Sequence, residues 1–267
     1  MKKIVFLLFA VGFLSASCSS NDDSDGGSTS DIYLPETTGT YWVYNTKTST
    51  TTGRDSLYIL KDTVIGATTY KKYKTKGLAT GFYSGALSNN GVRSVNGKLL
   101  VSGSTSFSFS EAAPIAITVS DFTFFDASAS SGKTLDQTSG TITQTTDDGY
   151  DIKIDYTLSS NSGIDLATYT IPNGTTFNNV KTSKLTLNLA ITAVITVSGV
   201  SIPFTVMKPQ DAVVSTQYYA KNIGAIYVAT DINYTLSDLS SLNISLPIPS
   251  SGSEHQDEIL TNYQLNP

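Results

Sequence analysis

From Tyr150 to Leu158 the chain alternates strictly, with Tyr150, Ile152, Ile154, Tyr156 and Leu158 set against Asp151, Lys153, Asp155 and Thr157. A period of two puts one set on each face of an extended strand, so this stretch specifies a sheet with one dry and one wet side. Leu185, Leu187, Leu189 and Ile191 repeat the pattern, Ala193 to Val197 extends it, and Val200, Ile202, Phe204 and Val206 run back after Ser198-Gly199. Charged residues are only 15% of the chain, and no long window of Ala, Leu, Glu and Lys offers a competing helix. The fold class that follows is all-β: a strongly curved antiparallel sheet, half-barrel or sandwich-like.

Shorter strands are marked by their turns. Gly39 to Asn45 is aromatic and β-branched, with the single tryptophan, Trp42, expected in the core. Ser56 to Leu60 and Thr63 to Ile65 lead to a turn at Gly66-Ala67 and a return strand from Thr68 to Lys74. Asn96-Gly97 is a two-residue hairpin signal because both residue types tolerate positive φ. Phe107 and Phe109 lie in a Ser-rich alternation before Ile115 to Val119, Asp148-Gly149 is a turn, and two runs meet at Lys221 to Gly224. Pro203 has no N–H to donate, so its side of the strand is expected at an edge or bulge. A last strand is expected from Ile259 to Leu265, after a polar loop that holds His255.

Ahead of the strands stand Lys2 and Lys3, the apolar run Ile4 to Leu14, and Ser15-Ala16-Ser17-Cys18. A basic start, an apolar segment and small residues form a secretory signal in the required order. As a helix the apolar run reaches about 16 Å, half of a ~30 Å hydrocarbon core, too short for a permanent span. Small residues before the only cysteine resemble a bacterial lipobox, with Ser15 where Leu is commonest; the plainer reading is an ordinary secretory signal. The lipobox resemblance implies cleavage before Cys18, acylation of its thiol and new amine, and a stable anchor, since two or more acyl chains hold where one is marginal. The chain then divides into a signal peptide (1–17), a lipidated cysteine with an acidic Ser/Asp/Gly tether (18–33) and one antiparallel β domain (34–267). A flexible tether of this length reaches about 20 Å. Its acids also resemble the export signals of surface lipoproteins in the Bacteroidota, or serve only as a solvated spacer.

Three segments carry a wider resemblance: Gly39-Thr40-Tyr41-Trp42-Val43-Tyr44, Asp62 to Lys71, and Tyr218 to Tyr227. Together they look like lipoproteins of unknown function from flavobacteria and their relatives, and more faintly like the curved sheet of LolA-type lipid-binding half-barrels. The resemblance implies an envelope protein anchored at the outer membrane, facing the periplasm or the cell surface, with a greasy groove for a hydrophobic ligand.

The formal charge of −5 and the lack of a basic run argue against nucleic acid as a partner. One histidine and one cysteine cannot build a soft metal centre, so no metal or other cofactor is expected. No nucleophile elbow, P-loop or dinucleotide fingerprint is present, and the chain is read as non-catalytic. Asp147, Asp148, Asp151, Asp155 and Asp165 keep open a carboxylate hydrolase, which needs two acids facing across a cleft. Fifteen tyrosines are the stronger lead, because an apolar ring with a polar tip suits a greasy cleft or a stacked sugar. Tyr41, Trp42, Tyr44, Tyr218, Tyr219 and Tyr227 are the candidate ligand contacts, although strands also favour tyrosine for packing. Asp55-Ser56-Leu57 and Asp62-Thr63-Val64 resemble Bacteroidota O-glycosylation sequons, which makes Ser56 and Thr63 candidate acceptors. Beside that hydrolase, two non-catalytic functions remain open: a lipid-binding envelope lipoprotein, and a surface module for glycans or proteins.

Overall fold

The computed structural model describes residues 32–108, 114–145, 151–197, 200–238 and 249–266. The signal segment, Cys18, the tether as far as Asp31, Phe109, Asp147, Asp148 with its Gly149 turn, Tyr150 and the Ser198-Gly199 turn lie outside the described residues. The strands are β1 (Tyr41–Lys47), β2 (Thr52–Ile65), β3 (Thr68–Thr75), β4 (Gly91–Val95), β5 (Lys98–Ser108), β6 (Pro114–Asp126), β7 (Thr134–Thr145), β8 (Asp151–Thr170), β9 (Thr176–Val197), β10 (Val200–Ala220), β11 (Gly224–Thr235) and β12 (Ser251–Gln264). Helix α1 (Phe82–Leu87) interrupts them between β3 and β4. They form one antiparallel sheet in the order β6-β5-β4-β3-β2-β1-β12-β11-β10-β9-β8-β7.

Local chemistry explains most of the hairpins. Asn96 and Gly97 both take positive φ between the paired Val95 and Lys98, and Gly66 does the same between Ile65 and Thr68. Asn222 and Gly224 reverse the chain from β10 into β11. The segments Ser56 to Leu60 and Thr63 to Ile65 are one strand, with a bulge between Ile59 and Lys61. Pro203 lies in the half of β10 that pairs with β9 alone among the described strands, since β11 joins only from Val213.

The sheet curls until its two edges nearly meet. β6 is held there by side chains, not by a ladder with β7. The Thr123 N–H donates to the Asp136 carboxylate at 2.9 Å, and the Thr123 and Phe124 carbonyls accept the hydroxyls of Ser160 and Ser183, each at 2.5 Å. These bonds cover an edge that would otherwise template aggregation.

The inward residues fill the barrel. Trp42 stacks on Tyr73 with centroids 6.0 Å apart, and Tyr83 of α1 sits edge-on between Tyr44 and Tyr219, each 6.3 Å away. Tyr33 and Leu34 close one end, with Tyr33 against Phe125 and the Ile32 carbonyl accepting the Asn222 N–H. A void of about 10 Å³ remains among Ala86, Thr105, Ile117, Phe124, Leu158 and Leu185, about one water in size. No acyl chain fits there.

Two features depart from the sequence reading. Residues 251–258 are strand, not loop, because β11 offers them a ladder along their whole length and β1 joins on the other side from Asp257. The helix was not expected either. Its first turn is docked by acceptors from distant strands: Asp55 of β2 takes the Thr80 and Gly81 N–H groups, Gln256 takes that of Phe82, and Glu258 takes those of Tyr83 and Ser84. A side chain at Gly81 would collide with Glu258, so glycine is required for this approach.

Candidate functional site

The candidate ligand residues separate by strand parity. On β1, Trp42 and Tyr44 point inward while Tyr41 and Val43 point outward. Trp42 donates its indole N–H to the Ile223 carbonyl at 2.6 Å, and the Tyr44 hydroxyl donates to Ala225 at 2.8 Å. Trp42, Tyr44 and Tyr219 are each no more than 1% exposed, so they are packing residues of the barrel interior and not surface contacts. Among the described residues these side chains fill the interior rather than line an open groove.

Tyr218 and Tyr227 lie directly opposite each other on the outer face of β10 and β11, and the end of the β8–β9 hairpin covers them. Tyr169 stacks on Tyr218 at 4.3 Å and approaches Tyr227 at 6.3 Å, while Asn173 reaches the Leu260 carbonyl on β12 at 3.0 Å. A left-handed Asn179 lies in β9 near the base of this tip. Burial and the neighbouring Tyr218 raise the Tyr169 phenol to about 12. The Tyr227 hydroxyl donates to Asp257, which also meets His255, and His255 bonds Asp231 through its other ring nitrogen at 2.7 Å. The Asp231 bond, more than any other contact, raises the imidazole above its ordinary value. His255 thus belongs to a strand-surface network that the sequence could not reveal, since it depends on the β11–β12 register.

An open cleft of about 400 Å³ lies on the outer face of β1 and β2, lined by Tyr41, Val43, Arg54, Ser56, Tyr58 and Lys76. Tyr41 and Tyr58 are directly opposite across the β1–β2 ladder, and Tyr58 faces Lys74 across β2–β3. Tyr58, Arg54 and Lys76 had no motif to mark them. The only signal was alternation, which puts Arg54, Ser56 and Tyr58 on the face opposite Asp55, Leu57 and Ile59.

The same face carries Lys47, Lys61, Lys72 and Lys74 in addition to Arg54 and Lys76. None of the six has a carboxylate partner among the described residues, whereas Lys71 pairs with Asp62 at 2.5 Å. Lys61 and Lys72 stand directly opposite each other, a pairing that destabilises a ladder. Desolvation, reinforced by Lys74, lowers the Lys72 ammonium below its ordinary value.

Ser56 lies in the cleft, but its sequon neighbours Asp55 and Leu57 are buried in a central strand, so in the folded state that tripeptide has no free backbone to present. Thr63 is near the β2–β3 tip, where the chain is more open. Among the acids, Asp151 accepts from Thr145, Asp155 pairs with Lys153 at 2.8 Å, and Asp165 pairs with Lys181 at 2.5 Å. These three are engaged by ladder and wet-face partners. Among the described residues no cluster of His, Cys, Asp or Glu could hold a metal, and no helix is long and apolar enough to cross a membrane.

No family model and no curated protein sequence matches this chain. Among solved structures, it resembles one from Parabacteroides distasonis that is provisionally named a lipoprotein. The identity is 11% and the TM-score 0.37, over 88% of this chain and 99% of that one. Similarity at that level carries neither the fold nor the function.

Proposed function

We propose that this protein is a non-catalytic envelope lipoprotein, anchored through Cys18, whose outer cleft binds the polar, anionic end of a ligand such as a lipid headgroup. The observation that carries the ligand site is the contrast between an interior void of about 10 Å³ and an outward cleft of about 400 Å³ flanked by Arg54 and Lys76. Arg54 offers a planar donor fork and Lys76 a mobile ammonium, both suited to phosphate oxygens. The acyl tails of such a ligand stay outside the barrel.

The test is an NMR titration of residues 19–267 with sn-glycerol 3-phosphate. These residues contain every described strand and contact. Amide shifts confined to Arg54, Ser56, Tyr58 and Lys76, and lost in the Arg54→Ala, Lys76→Ala double variant, are expected; shifts spread elsewhere, or none, would reject the cleft.

The cross-strand pair Tyr41 and Tyr58 favours a second reading, a stacked glycan. In that case a neutral oligosaccharide such as maltoheptaose shifts the same residues. The response then vanishes in Tyr58→Ala and persists in the double variant that lacks both cations.

A further inference from the structure

We propose that the outer face of β1 to β3 is a docking surface for an anionic membrane, so that the domain lies against the bilayer by this side. The proposal extends the reading above, because the cleft opens on the same face and would meet lipid headgroups there. Two independent observations converge on it.

The first is charge. The chain carries a net −5, yet Lys47, Arg54, Lys61, Lys72, Lys74 and Lys76 occupy one face without a described acidic partner. Of the two acids within β2, Asp55 points inward and is consumed at the start of α1, and Asp62 is neutralised by Lys71; on β12, Asp257 stands opposite Lys47, so the unpaired charge centres on Arg54, Lys61, Lys72, Lys74 and Lys76. A twelve-stranded barrel is roughly 20 Å across at ~4.8 Å per strand, more than a Debye length of about 8 Å at physiological salt. A membrane that touches this face therefore senses its cations and is screened from the acids on the far side. Each cation near an anionic surface strengthens partition about fivefold.

The second is the distribution of exposed apolar side chains. Leu60 and Ile65 are exposed along β2, Val64 is exposed at the β2–β3 tip on the strand's other side, and Leu78, just past β3, is 96% exposed. The β2–β3 tip and Leu78 lie at opposite ends of the basic face, and Tyr41 and Tyr58 lie between. Apolar tips around a basic, tyrosine-bearing centre match the headgroup boundary, where rings and short apolar chains insert and ammonium groups meet phosphates. An acyl anchor supplied by Cys18 would hold the face within reach, while the contact itself needs no anchor.

The experiment is co-sedimentation of residues 19–267 with phosphatidylglycerol-containing vesicles and with pure phosphatidylcholine vesicles. Binding to the anionic vesicles alone is expected. It should weaken by at least about 25-fold in Lys61→Glu, Lys74→Glu, and measurably in Leu78→Asp. The pair Lys133→Glu, Lys208→Glu makes the same change in net charge outside this face and should bind nearly as wild type. Binding to neither vesicle, equal binding to both, equal loss in the control pair, or indifference to Leu78→Asp would each overturn the proposal. Glycerol phosphate binding without vesicle binding would leave the cleft reading standing and remove this one; vesicle binding without glycerol phosphate binding would do the reverse.

Discussion

Glu258 is the residue with the most unusual surroundings. It is fully buried, and desolvation raises its carboxyl to about 7, against the opposing pull of the Ser84 hydroxyl and the Tyr83 and Ser84 N–H groups. A folded-state value above the unfolded one means that the native state holds the proton more tightly. The associated stability is complete below about pH 4.5 and lost as pH rises through about 7, with a magnitude of about 3 kcal/mol. Denaturant titrations at pH 5 and pH 8 should therefore show a smaller difference in Glu258→Gln than in the wild type. Two tyrosines allow a second comparison. The Tyr73 hydroxyl is buried with no partner among the described residues, so Tyr73→Phe should be neutral or stabilising by up to about 1 kcal/mol. Tyr44→Phe removes the bond to Ala225 and should cost about 1 kcal/mol in the same assay.

Among the elements, the seam and the helix depend most on single side chains. Ser160 and Ser183 hold β6 by its carbonyls where a ladder is missing. Replacing both with Ala strands two buried acceptors, at about 1–3 kcal/mol each, and should speed amide exchange in β6 ahead of the sheet centre. The β10–β11 turn has its own requirement. Gly224 sits at φ +109 with the Trp42 indole 3.0 Å from where a Cβ would stand, so Gly224→Ala combines backbone strain with a clash and should cost about 1–3 kcal/mol in thermal unfolding. Helix α1 shows why short elements escape sequence reading. Phe82 to Leu87 has no acidic first turn and no side-chain cap of its own. Its capping groups come from Asp55 and Glu258, the latter 175 residues from its partner Tyr83.

For the molecule as a whole, the proposed contacts all lie on the outside. Among the described residues, tyrosines and tryptophan pack the interior, while alternation sends Arg54, Tyr58 and Lys74 outward onto a common surface. If the basic face docks on lipid as proposed, raising salt to about 1 M should release vesicles by screening. Thermal stability should not fall in parallel, because these cations have no described carboxylate partners and screening relieves the Lys61–Lys72 repulsion.

What the sequence determined by itself was the part governed by neighbours along the chain. A strict period of two requires strands with one dry face, and residues that tolerate positive φ at 96–97 and 222–224 require tight reversals, whatever surrounds them. That is enough for an antiparallel all-β fold with Trp42 inside. Tertiary structure decided the rest. The polar run 251–258 became a strand because β11 pairs with all of it, and α1 formed because Gln256 and Glu258 on that strand accept its first N–H groups while Asp55 holds the residues just ahead of it. The cleft exists only where β1, β2 and the end of β3 come together, and the charge of its rim is set by which way each strand faces. Alternation sorts a strand's residues between two faces, but only closure of the barrel decides which face becomes the packed interior and which is left to meet a ligand or a membrane.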